Sequence, residues 1–146
     1  MISGLLRKLA GESADAPLTQ DESRVAVAAL LVVAAHADHK YEDSERAQIE
    51  RALAARYGLD SAAAAALRAE GEEAERVSLD IYRFTSRVKK HIPYEERAAV
   101  IEAMWRIVLA DGVREQHEEA LMRRVADLLG LDPRESIEAR RRVEGR

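Results

Sequence analysis

The chain has 146 residues, 47% of them apolar and 34% charged, enough for one domain with its own core. A net charge of -4 argues against nucleic acid as the main ligand, because phosphate binding needs a concentrated excess of Lys and Arg. The absence of cysteine excludes disulfides, thiolate metal sites and thiol nucleophiles, and it suits a cytoplasmic location. With 4% aromatics and abundant Ala and Leu, the composition predicts helices rather than sheets.

Residues 1–18 read as an amphipathic segment and a linker. Ile2, Leu5, Leu6 and Leu9 share a helical face, and Pro17 marks the linker. The segment is too short to span a membrane and lacks the apolar region and cleavage site of a signal peptide, so at most it makes weak contact with a membrane surface through residues 1–10.

Thr19-Gln20-Asp21-Glu22 fits a capping box and predicts a helix from about Asp21 to Ala37. Val25, Ala28, Ala29, Val32, Val33 and Ala35 make it apolar on most sides, as expected of a central buried helix. Ile49, Ala52, Leu53 and Tyr57 form the next apolar stripe. Gly58 is placed to stop that helix in a left-handed turn, and Asp60 to cap the one after it. Residues 61–77 read as an Ala-rich helix interrupted or stressed at Gly71. Residues 78–91 carry Leu79, Tyr82 and Val88 as an inner face. Pro93, Glu95 and Glu96 open a helix whose apolar set is Val100, Ile101, Met104, Trp105, Val108 and Leu109, and this stripe predicts a buried Trp105. Leu129-Gly130-Leu131-Asp132 then repeats Tyr57-Gly58-Leu59-Asp60, Pro133 fits a first helical turn, and residues 134–146 read as a helix passing into a basic tail. Arg140, Arg141, Arg142 and Arg146 suit a solvated helix end better than a nucleic-acid surface.

An acidic phrase occurs twice. Ala37-Asp38 closes one apolar helix and Glu45 follows it; Ala110-Asp111 closes another and Glu118 follows at the same interval. An Asp at a helix C-terminus meets an unfavourable dipole worth roughly 0.3 to 1 kcal/mol. Hydrogen bonds from the following turn would offset this, and so would a cation shared with the Glu. Oxygen-only ligands favour Ca²⁺ or Mg²⁺ and suit Zn²⁺ less well. The alternative for each Glu is helix capping, which is weakened because the residues three positions earlier, Glu42 and Glu115, are poor caps. The EF-hand pattern is not met, since the third and sixth loop positions from Asp38 are Lys40 and Asp43. A structural turn is the default for both loops and the metal site the sharper reading. His36 and His39 flank Asp38 and could join a transition-metal site. The second copy has Leu109 and Gly112 there and its His117 elsewhere, which favours histidines without a ligand role.

The doubled Ala-Asp phrase, the Glu-led helices and the Gly-Leu-Asp endings resemble the TerB-like family, named for tellurite resistance protein B. The stretch from Trp105 through Asp111-Gly112 and Glu118 to Leu131 is especially similar, and Phe84-Thr85 adds to the likeness. The resemblance covers about residues 21–132. It implies an all-α, compact multi-helix bundle with an internal pseudo-twofold duplication, with halves at about 21–60 and 94–132 joined by middle helices within a domain of residues 19–146. It also implies Asp38, Glu45, Asp111 and Glu118 as ligands for a divalent metal, although His39 replaces the loop glycine in the first copy. The function it implies is a non-enzymatic adaptor associated with tellurite or stress resistance, acting with an unidentified protein partner. The alternative is a structural, co-chaperone-like interaction module without metal. The histidines and carboxylates form no recognisable acid, base and nucleophile set.

Overall fold

The computed structural model describes residues 19–36, 41–77, 89–90, 92–109 and 116–145, and the side chains of 116–118 lie outside that description. Among the described residues every regular element is a helix: α1 (Gln20–Ala35), α2 (Asp43–Tyr57), α3 (Ser61–Val77), α4 (Tyr94–Leu109), α5 (Gln116–Leu128) and α6 (Pro133–Glu144). The fold is all-α. None of these helices is long and apolar enough to cross a membrane. The predicted segment 1–18 lies outside the described residues, as do 78–88 and 91 of the predicted segment 78–91.

The local signals in the sequence account for most helix ends. Thr19 Oγ1 accepts the Glu22 N–H at 3.1 Å, and the Glu22 carboxylate accepts the Thr19 N–H at 2.8 Å. The same reciprocal arrangement joins Asp132 and Glu135, with Pro133 in the first turn. Asp60 accepts the Ala63 N–H at 2.8 Å. Helix α1 ends at Ala35, short of the predicted Ala37, and α6 continues to Glu144 where a tail was expected.

Helix α1 is the centre of the molecule. From Val25 to Val32 every residue is buried, because α3 and α4 both pack along it and α2 and α5 touch it as well. Burial on several sides explains why its apolar residues cover more than one face. Ile49 and Leu53 of α2 complete this layer, with Ala52 and Tyr57 packed at its edge. Val100, Ile101, Met104, Trp105 and Val108 of α4 are buried too, joined by Met122, Val125 and Leu129 near the end of the second half.

Gly71 does not interrupt α3, which runs unbroken from Ser61 to Val77. It is a packing residue. A Cβ at this position would lie 2.6 Å from the Ala28 Cβ and 2.8 Å from the Ala28 carbonyl carbon, so the missing side chain lets α3 approach the α1 backbone. The sequence pattern flags the glycine but not the neighbour that requires it.

The two halves close alike. Gly58 and Gly130 both take left-handed conformations, with φ of 66° and 78°. In both, the N–H of the following leucine bonds to the carbonyl five residues back, Leu59 to Ala54 at 3.1 Å and Leu131 to Ala126 at 2.9 Å. Helices α1 and α4, which precede the two acidic phrases, pack against each other.

Candidate functional site

The first acidic phrase lies between α1 and α2. Asp38 and His39 lie outside the described residues, and the residues bracketing positions 37–40 are His36 and Tyr41. His36 and Tyr41 meet edge to face, with ring centroids 4.6 Å apart. Both are tied to α3: His36 Nδ1 lies 3.3 Å from Glu75 Oε1, and the Tyr41 hydroxyl donates to Glu72 Oε2. Helix α3 therefore anchors both sides of the loop.

Glu72 is the hub of this anchorage. Its Oε1 accepts Arg68 Nη1 at 2.7 Å, and Arg46 Nε lies 3.5 Å from Oε2 with its guanidinium stacked 4.9 Å from the Tyr41 ring centroid. Arg68 also donates from Nε to Glu50 on α2 at 2.7 Å. Burial works to raise the Glu72 pKa, but hydrogen bonds from Tyr41 and Arg68 and the charges of Arg68 and Arg46 outweigh it and hold the carboxyl below its ordinary value. Burial pushes the Tyr41 phenol up, and the adjacent Glu72 pushes it further, so Tyr41 stays neutral.

Glu45 occupies the third position of α2. Its Oε2 accepts the Glu42 N–H at 3.2 Å and the Ser44 hydroxyl at 2.8 Å. The capping role weakened by the sequence argument is therefore present. The donor is the Glu42 main chain, so it does not matter that Glu42 has a side chain poorly suited to capping. These bonds engage Oε2, and among the described residues Oε1 is left for a further donor or a cation. In the second copy, Asp111 lies outside the described residues. Glu118 falls in the first turn of α5, with its side chain likewise outside the description, as is that of His117. Among the described residues no group of three or more His, Asp or Glu side chains is arranged to hold a metal ion. Of the four candidate ligands, the side chain of Glu45 alone lies among the described residues.

The chain matches the family model described as tellurite resistance protein TerB over residues 24–141. It belongs to the TerB family. No curated protein and no solved structure gives a match. The TerB match spans all six described helices, from within α1 into α6, and so includes both copies of the acidic phrase.

The sequence reading missed the α3 face that anchors the first loop. Arg68, Glu72 and Glu75 recur at helical spacing, which is the signal that could have found it. Their partners, Glu50, Arg46, Tyr41 and His36, lie 18 to 39 positions away in sequence and become visible only once α3 is docked. Two of the arginines of the C-terminal helix, Arg140 and Arg142, are engaged within the fold. Arg142 Nε donates to Glu102 at 3.0 Å, and Arg140 lies 3.5 Å from Glu119 with its guanidinium 5.1 Å from the Trp105 ring centroid.

Proposed function

We propose that this TerB-family chain is a non-enzymatic adaptor of the tellurite- and stress-resistance type that binds a divalent cation through its duplicated Asp and Glu positions. Asp38 with Glu45, and Asp111 with Glu118, would hold the ion. Carboxylate oxygens favour Ca²⁺ or Mg²⁺ over Zn²⁺. The observation that carries the reading is the repetition of one acidic phrase at one spacing, each time after the apolar helix of its half. The Oε1 of Glu45, uncommitted among the described residues, supports it, since capping takes the other oxygen of the same carboxylate. When bound, the ion would neutralise like charges and oppose the unfavourable placement of Asp at a helix end. The partner is an unidentified protein. The arginines held in ion pairs with Glu102 and Glu119 support a protein partner over nucleic acid.

The test is calorimetric melting with Ca²⁺, Mg²⁺, Mn²⁺ or Zn²⁺ against chelator. Ca²⁺ or Mg²⁺ should raise the melting temperature progressively with its excess over Kd, and Asp111→Asn with Glu118→Gln should reduce that rise. An unchanged melting temperature with every ion would leave the acidic loops as turns and the protein as an interaction module without metal.

A further inference from the structure

At the other end of α1 from the acidic phrase, a pocket of about 520 Å³ opens among the start of α1, the end of α2 and the start of α4. Thr19, Ser23, Arg24, Arg56, Tyr57 and Glu96 are among its lining residues. Arg24 and Arg56 both stack on Tyr57, with guanidinium carbons 4.8 and 5.5 Å from the ring centroid. Two cations held against one ring repel each other, and neither forms an ion pair with a carboxylate among the described residues. Arg56 Nε donates to the Tyr57 hydroxyl at 3.3 Å. Arg24 Nε is buried with no hydrogen-bond partner among the described residues, an unusual state for a charged donor and a costly one.

We propose that this pocket binds a phosphoryl group, with the Arg24 and Arg56 guanidiniums held against Tyr57 as its clamp. A guanidinium presents a fork of donors that matches the oxygens of a phosphate, and a phosphate at neutral pH carries enough negative charge to balance two arginines. Thr19 Oγ1 spends a lone pair on the Glu22 N–H, which leaves its own hydroxyl proton to donate. Ser23 adds a second hydroxyl to the lining. Glu96 is the only carboxylate among these described lining residues. It is exposed, so water screens its repulsion of an anion. The pocket is separate from the acidic loops, because α1 has 16 residues and rises about 24 Å between its ends. The proposal therefore stands or falls independently of the metal reading.

The full chain, labelled with ¹⁵N, is titrated with inorganic phosphate and separately with glycerol phosphate, at ionic strength matched with chloride. The Arg24 Nε–H resonance should shift saturably in the millimolar range or below. Tighter binding of glycerol phosphate would assign the pocket to phosphate esters, and equal binding would assign it to the phosphate group alone. Arg56→Gln should weaken binding by about tenfold or more, and Arg24→Gln by at least as much if the variant folds. A linear, non-saturating response to both phosphates would overturn the proposal. So would acetate binding as tightly as phosphate.

Discussion

The interface of α1 with α3 and that of α4 with α6 solve the same problem by opposite means. At the first, Gly71 lies against Ala28 so closely that no Cβ fits between them, and the contact consists of backbone and small side chains. At the second, Trp105 fills the space between helices, its Nε1 donating to Ser136 Oγ at 3.4 Å and its ring covered by Arg140. The turns that end the two halves are nearly the same, as the paired left-handed glycines and leucine N–H bonds show. Repetition here governs short-range hydrogen bonding. The packing contacts differ, with a glycine at the α1–α3 interface and a tryptophan at the α4–α6 interface.

The largest effect should come from emptying the second interface. Trp105 is buried, and Trp105→Ala should cost about 3 to 5 kcal/mol, read from the urea midpoint at constant slope. A loss no larger than that of an ordinary surface substitution would remove Trp105 from its place as the spacer of α4 and α6. At the first interface the danger is added volume. Gly71→Ala improves helix propensity, yet the clash with Ala28 should make it destabilising by about 1 to 3 kcal/mol. Net stabilisation would show that α1 and α3 are not in such close contact.

The smallest effect concerns the polar edge of the first interface, where Glu72 joins α3 to Tyr41. Its pKa is held below the ordinary 4.5, so its contribution is fully present above that value and is lost as pH falls through the depressed one. The stability gap between the parent and Glu72→Gln should therefore be widest near neutral pH and close in acid. A gap that stays constant between pH 7 and strongly acid conditions would contradict the role given to Glu72.

Features that depend on a few consecutive residues were legible in the sequence. The Thr19–Glu22 box, the caps at Asp60 and Asp132, and the stops at Gly58 and Gly130 all form where the residue pattern places them. The burial of α1 and of Trp105 was legible too, because apolar periodicity reports directly on the face turned from water. Gly71 was read as an interruption or a point of stress, and the helix is not interrupted there; a glycine inside a helix signals weakness and close approach with the same letter, and only its contact with Ala28 separates the two. Arg24 lay unremarked beside the apolar run of α1, although its buried Nε, unpartnered among the described residues, depends on Tyr57 arriving from α2. At the candidate metal site, the spacing singled out Glu45 as a metal ligand and weakened its capping role, yet that capping role is present at the start of α2. Spacing could not show that one oxygen caps the helix while the other is left uncommitted among the described residues.

The central claim is that the duplicated carboxylates hold a divalent cation. Its most direct test is anomalous diffraction from crystals of the full chain grown with Ca²⁺. The account predicts an anomalous peak about 2.3 to 2.6 Å from carboxylate oxygens of Asp38 and Glu45, of Asp111 and Glu118, or of both pairs. Well-ordered carboxylates with no peak beside any of the four, at Ca²⁺ concentrations that saturate ordinary protein sites, would contradict it.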